Sequence, residues 1–268
     1  MRFLAGAFIL LFTACWFLPG QSSKKSAPAQ PPARSVVAPE ASAVPVIEAA
    51  PPSEKLTYAV EWHLSHAGTV TVNNREKQIE LRIESAGIVS MLYKVDDLLT
   101  VNYDEPDCAT SSLLESMESK RHHETRVTYD RSQNFAFFVE RDLLSDMVIR
   151  EAKTQIPNCV SDALGALAKL RSLKLDPGQS VQLPVSDGRK FASVKVDALE
   201  RGDVKTAGAT YHAVRYQAAL LNGVIYSRKG RLFVWVSDDA RRLPVQIQVQ
   251  MSFPIGTVTL QLEKEEHT

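Results

Sequence analysis

Beyond residue 55 the chain alternates apolar and polar residues with a period of two, most regularly over residues 230–262. Leu232, Val234 and Val236 form one apolar row. Leu243, Val245, Ile247, Val249 and Met251, interleaved with Gln246, Gln248 and Gln250, form a second, and Val258, Leu260 and Leu262, interleaved with Thr257, Thr259 and Gln261, form a third. A strand turns successive side chains to opposite faces. Three such rows separated by residues 237–240 and 253–256 therefore predict an antiparallel meander, with one wet face over its last two strands. The same period recurs upstream: residues 56–62, 69–72, 79–83, 98–103, 115–129 in two pieces, 135–139, 180–183, 190–199 and 210–217 all read as strands. Residues 87–93 are apolar without alternation and read as a buried helical turn or an inward-packed loop.

One segment keeps a helical period instead. Val160, Leu164, Leu167 and Leu170 recur at spacings of four, three and three, with Ala163, Ala166 and Ala168 between them. This predicts a single helix over about residues 158–172, with Asn158 as N-cap, Asp162 in the first turn, Lys169 and Arg171 near the last, and Asp176-Pro177-Gly178 as the stop. The fold expected is mainly β: an antiparallel, strongly curved sheet or open barrel with one packed α-helix, whose leucine stripe needs a concave face to bury it. Two smaller sheets divided near residues 157–178 are the alternative.

The first fifth of the chain does not share the pattern. In residues 1–20, Arg2 precedes an apolar run from Phe3 to Leu18, short for a membrane span and suited to a secretory signal. Phe12-Thr13-Ala14-Cys15 resembles a bacterial lipoprotein signal, in which Cys15 is the lipid attachment point. Ordinary cleavage near Gly20-Gln21-Ser22, and no cleavage at all, remain open. Residues 21–54 are rich in Pro, Ala and Ser and are expected to form a disordered, semi-stiff tether. Residues 55–268 then form a single β-rich domain, exported and either periplasmic or tethered to a membrane facing the periplasm. With 31 basic and 31 acidic residues the chain has no net charge, so nothing drives it as a whole onto nucleic acid or an anionic membrane.

Outside the signal only Cys108 and Cys159 remain, and in an exported chain a pair of cysteines predicts a disulfide. The competing reading makes Cys159 a thiolate nucleophile at a helix N-terminus, but no neighbouring base supports it. His63 with His66, and His122 with His123, are the histidine clusters. Adjacent strand residues face opposite ways and neither pair has a third ligand in sequence reach, so no metal site is expected. Asp238, Asp239, Arg241 and Arg242 have the composition of an acid–base set and the position of a solvated hairpin tip; the second reading is preferred. Arg215, Arg228, Lys229 and Arg231 near Asn222-Gly223 form a basic cluster that suits a lipid headgroup or sugar phosphate, or an ordinary surface loop. Phosphate-cradling glycine motifs and nucleophile elbows are absent, so no catalytic residue and no cofactor are assigned.

Tyr58-Ala59-Val60-Glu61-Trp62 with Ala67-Gly68, the run Gly87 to Asp97, Asp162-Ala163-Leu164 through Leu170-Arg171, Pro184-Val185 with Asp187-Gly188, Lys229-Gly230-Arg231-Leu232 with Trp235, and Ser237 to Val245 followed by Gly256-Thr257-Val258-Thr259 occur in an order and spacing that resemble the bacterial family called domain of unknown function 3108. The likeness runs along most of residues 56–264 and departs at Gly165 to Lys169, where relatives often carry a serine and an aromatic. It implies an exported, β-rich envelope protein and no particular reaction. Three functional readings follow in order: a non-enzymatic module binding a lipid or other amphiphile, a structural protein docking an envelope partner, and, last, an enzyme.

Overall fold

The computed structural model describes residues 53–105, 107–252 and 255–267; the signal segment, Cys15 and the tether up to residue 52 lie outside the described residues. Eight strands come first, with one short helix: β1 (Glu54–Trp62), β2 (Ser65–Arg75), β3 (Gln78–Ser85), α1 (Gly87–Leu92), β4 (Val95–Glu105), β5 (Cys108–Glu118), β6 (Arg121–Asp130), β7 (Phe135–Asp142) and β8 (Met147–Gln155). After α2 (Ala163–Ser172) come β9 (Ser180–Ser186), β10 (Phe191–Lys205), β11 (Thr210–Ala218), β12 (Gly230–Ser237), β13 (Pro244–Met251) and β14 (Thr257–His267). They build one fourteen-stranded sheet in the order β8-β7-β6-β5-β4-β3-β2-β1-β14-β13-β12-β11-β10-β9. All neighbours are antiparallel.

The first and last strands pair in the middle of the sheet, with Tyr58 opposite Leu262 and Val60 opposite Leu260. That pairing bears out the single curved sheet and rules out the alternative of two smaller ones: the meanders β1 to β8 and β9 to β14 are two wings of one surface. A twisted sheet of this width curls rather than staying flat. Here the wings come round far enough to touch. The turn after β9 lies against the inner side of β6 and β7, where Gly188 sits so close that a Cβ would be 2.7 Å from Val127 and 3.3 Å from Phe138. Tyr129 on β6 donates to the Ser186 carbonyl at 3.2 Å. The sheet nevertheless does not close by strand pairing; β8 and β9 remain its outer strands.

The chain crosses between these outer strands through α2, which separates two groups of buried side chains. Leu164 packs with the wing of β1 to β7, among Leu56, Val70, Leu81, Leu99, Val101 and Phe138. Ala166 and Leu170 pack with the other wing, among Leu183, Val196, Tyr216, Val234 and Val236. The sequence places the helix correctly but starts it too early. Asp162, not Asn158, is the N-cap, its carboxylate accepting from the amides of Leu164 and Gly165. Cys159 therefore precedes the helix instead of lying in its first turn. The apolar run 87–93 does form a helical turn, but α1 has no buried residue, contrary to the inward packing expected of it. β8 escaped sequence reading because it is an outer strand: Met147, Val148 and Ile149 are all exposed, so no alternation marks it.

The Cys108–Cys159 disulfide is present, with alpha carbons 5.1 Å apart. It ties the start of β5 to the segment that leads into α2, beside the Ala109 amide that donates to the Val160 carbonyl at 2.9 Å. A bridge with a sequence separation of 51 restrains β5 to β8 as one loop. Replacing either cysteine by serine should cost about 4 kcal/mol in the chain-entropy account. It should also increase protease cutting over residues 109–157; urea unfolding and limited proteolysis of the oxidised and variant proteins check both.

Candidate functional site

A cavity of about 130 Å³ lies between α2 and the concave face of the sheet. Its floor is the period-two row of apolar residues from both wings: Leu56, Val70 and Leu81 on one side, Val185, Val196 and Val249 on the other. Its roof is the face of α2 that carries Ala163, Ala166, Leu167 and Leu170. Three alanines in a ten-residue helix leave room that larger side chains would fill. The few polar residues in the lining are Glu54, Asn74, Arg171 and the tyrosines Tyr58 and Tyr226, whose hydroxyls burial holds protonated far above the ordinary range.

Both ends of α2 are fixed by buried polar groups. At the N-terminus, Asp162 accepts from two helix amides and from the Tyr103 hydroxyl at 2.7 Å. Burial raises its pKa even so. Gly165 allows the close fit there, since a Cβ would lie 2.8 Å from the Tyr103 ring. At the C-terminus, Arg171 and Glu54 form an ion pair that is almost wholly buried on both sides. The Arg171 guanidinium also donates to the Arg242 carbonyl at 2.8 Å and the Arg241 carbonyl at 3.2 Å. Arg242, 4% exposed, returns the contact: it donates to the carbonyls of Arg171 and Leu173 at 3.3 and 2.9 Å and to the Tyr216 hydroxyl at 2.9 Å. The last carbonyls of a helix have no partner within it, and a guanidinium placed there satisfies them and meets the negative end of the helix dipole.

This corrects the reading of residues 238–242 as a solvated hairpin tip. Asp238 and Asp239 do lie outside, paired to Arg201 at 2.8 Å and to Arg241 at 2.8 Å, and Arg241 also meets Glu265 at 2.9 Å. Arg242 instead turns inward with a φ of 49° and belongs to the core. The basic cluster does not converge on a site. Arg215 pairs with Glu200 at 2.8 Å and lies over the rings of Phe233 and Trp235, and Arg231 lies over Phe233 as well. His63 and His66 are exposed, with the His63 ring against Trp62, while His123 faces Glu140 at 3.5 Å. Among the described residues no group of three or more histidine, cysteine, aspartate or glutamate side chains could hold a metal. Cys159 is bonded to Cys108 and cannot act as a thiolate.

A second buried polar cluster lies under α1, on the inner face of β4 and β5. Asp97 accepts from the Ser116 hydroxyl at 2.8 Å and the Met117 amide at 3.0 Å, and the Tyr93 hydroxyl donates to Glu118 at 3.0 Å. Burial pushes Asp97 up to about 6; burial and then the nearby Asp97 charge push Glu118 up to about 7. Sequence reading missed this pair because the two residues fall at apolar positions of their strands, where the period predicts aliphatic side chains.

Two predictions follow from these groups. Glu54→Gln leaves the Arg171 charge buried without its counter-ion and should destabilise the fold by about 3–5 kcal/mol, as for other broken buried pairs; urea unfolding reads it directly. For the carboxyl pair, both groups titrate above the roughly 4 of an unfolded chain, so the folded state holds more protons than the unfolded state between about pH 4 and pH 7, and stability falls as pH rises through that window. The double variant Asp97→Asn, Glu118→Gln keeps the acceptor oxygens and removes the ionisation. Its stability should match the wild type near pH 4 by that linkage and exceed it above neutrality, in the same unfolding assay run across pH.

The comparisons with known proteins agree with this architecture. A β-barrel-like protein of the domain of unknown function DUF1849 from Brucella abortus superposes with a TM-score of 0.52 at 7% identity, covering 81% of this chain and 98% of that one. At that identity the likeness concerns the fold alone. A protein of YmcC-like fold from Bacteroides fragilis aligns over 82% of this chain and 99% of its own at 6% identity, with a TM-score of 0.30 that carries no argument. Comparison with curated proteins finds no match. The profile of the family described as "Protein of unknown function (DUF3108)" matches residues 57–263, from just after Leu56 in β1 to just past Leu262 in β14, and the chain belongs to that family.

Proposed function

We propose that this protein is an exported, non-enzymatic module of the cell envelope that takes the apolar part of a lipid or another amphiphile between α2 and the sheet. The cavity supports this reading. It lies at the junction of the two wings, its lining is aliphatic almost throughout, and its one charged pair is already internally satisfied. Such a site offers burial of hydrocarbon and little else, which suits an alkyl chain and not a substrate that must be polarised. A cavity of roughly 150 Å³ stays dry and accepts a benzene-sized molecule. The space present therefore admits the end of one chain. The sequence of residues 1–54 supplies the rest of the proposal: export, with a tether that keeps the domain near an envelope membrane and Cys15 as the candidate lipid attachment.

The alternative, docking of an envelope protein, has its own support in β8, an outer strand whose first residues are exposed Met147, Val148 and Ile149 and whose free edge could accept another strand. The cavity favours the first reading, because a purely structural protein gains nothing from leaving its core unfilled.

Native mass spectrometry of the full chain purified from envelope membranes should find a bound amphiphile. In titration with a fluorescent fatty acid, Ala166→Phe fills the cavity and should abolish saturable binding while keeping the melting temperature close to wild type. Leu170→Ala, which enlarges it, should lose about 2–5 kcal/mol of stability and retain binding. An empty wild-type protein that takes up the fatty acid no better than Ala166→Phe would overturn the proposal.

A further inference from the structure

The alternating turns of an antiparallel sheet fall on two rims, and the rims of this one differ in chemistry. The turn between β1 and β2, helix α1 between β3 and β4, and the turns between β5 and β6 and between β7 and β8 share one rim. Neighbouring elements along it are joined by backbone hydrogen bonds: Ala86 to Ala67, Ser119 to Lys94, and Leu143 to His122. Nearly every one of them presents a large apolar side chain to solvent. Leu64 is 101% exposed at the first turn, Ile88 and Met91 are 72% and 85% exposed on α1 with Leu92 beside them, Met117 flanks the third, and Leu144 and Met147 flank the fourth. Ile88, Met91 and Leu92 stand at i, i+3 and i+4, so they form the outward stripe of the helical turn.

Two further observations say what covers this rim. The first is local conformation. His63 and Leu64 both have positive φ, 48° and 62°. A tight turn with positive φ at both central residues favours Asn and Gly, and a fully exposed leucine there is disfavoured both by its backbone and by water. The second is charge. Lys94 follows α1 and Lys120 sits in the turn beside Met117, both exposed. Of the carboxylates on the neighbouring strand ends, Glu84 and Asp96 pair with Arg82, and buried Glu118 accepts from the Tyr93 hydroxyl. Trp62 and Tyr93, half-buried at the same level, add the amphipathic aromatics that settle at a membrane–water boundary. Separate apolar tips with Lys94 and Lys120 between the second and third match a fluid, anionic interface there, whereas a rigid protein partner would call for one continuous groove.

We propose that this rim is a membrane-contacting surface: Leu64, Ile88, Met91, Leu92 and Met117 enter the interfacial layer of an anionic bilayer while Lys94 and Lys120 meet its headgroups. The inference does not depend on whether the cavity holds a ligand, and it concerns a local patch, compatible with a chain of zero net charge.

Hydrogen–deuterium exchange of the full chain tests it, because the readout is local and the N-terminal segment is common to every sample. With vesicles of phosphatidylcholine and phosphatidylglycerol in equal parts, exchange at residues 63–67, 86–94 and 117–121 should slow severalfold, while the turns of the opposite rim at 131–134 and 206–209 stay unchanged. Ile88→Ser combined with Met91→Ser and Leu92→Ser should abolish the protection. Leu64→Asn should weaken it while leaving the melting temperature equal or higher, an effect that a purely structural leucine would not show. Lys94→Glu with Lys120→Glu should reduce it selectively on the anionic vesicles. No vesicle-dependent change at this rim overturns the proposal. So does protection that appears without vesicles and grows with protein concentration, which would make the occupant a second copy of the chain, and so does equal protection on phosphatidylcholine alone.

Discussion

The buried guanidinium groups at the end of α2 hold the architecture together. Fourteen strands with two unpaired outer edges are a surface whose wings pair only at the β1–β14 seam and otherwise touch where the turn after β9 meets β6 and β7. α2 is the segment against which both wings bury their inner rows, and it can lie there only if its ends are satisfied in a place water does not reach. Asp162 with Tyr103 solves this at one end, and Arg242 and Arg171 with Glu54 at the other. These groups also span the chain, since Glu54 opens β1 and Arg242 comes from the turn before β13. One contact thus fixes the helix, the seam and the far wing at once. An ion pair this buried gives little net stability compared with an apolar replacement, but removing one member is costly. Its contribution is to specify a single placement of the helix.

What the sequence revealed, and what it hid, follows from which interactions have a period. Strands with one face in the core leave alternation, so the rows at Leu56 to Val60, Leu232 to Val236 and Val258 to Leu262 could be read directly and the mainly β class with them. The spacing of Leu164 and Leu170 likewise announced the helix. The cysteine pair was legible because parity and compartment leave few options. Interactions without a period stayed hidden. β8 opens on three exposed apolar residues and places only Ala152 against the core, so it shows no apolar alternation. Arg242 looks like any charge in an Asp- and Arg-rich turn until the turn's positive φ directs it inward. Asp97 and Glu118 read as surface charges although their strand positions are internal. The order of strands, with the first and last paired at the centre, is set by contacts between distant residues, and nothing local encodes it.

The cavity is a departure from close packing and has an energetic weight. At about 24 cal/mol per Å³, a void of 130 Å³ forgoes roughly 3 kcal/mol. Domains of this kind are stable by only about 5–15 kcal/mol, so that is a substantial part of the total. Ala163, Ala166 and Ala168 could be larger without polar consequence, and the helix would gain packing. A space kept open at the centre of the molecule, beside the small residues of α2, is consistent with a site that is filled by something other than the protein, which is the basis of the amphiphile-binding proposal.

The two rims give the molecule a direction. The turn bearing Arg242 and the start of β1 at Glu54 belong to one rim; the exposed leucine, isoleucine and methionines belong to the other. Any N-terminal tether therefore enters at the rim opposite the apolar tips. The cavity lies between the two rims, lined by Glu54 and Asn74 toward one and by Leu220 and Leu221 toward the other. The rim proposed to meet a membrane and the rim at which β1 begins thus stand on opposite sides of the space proposed to hold an amphiphile.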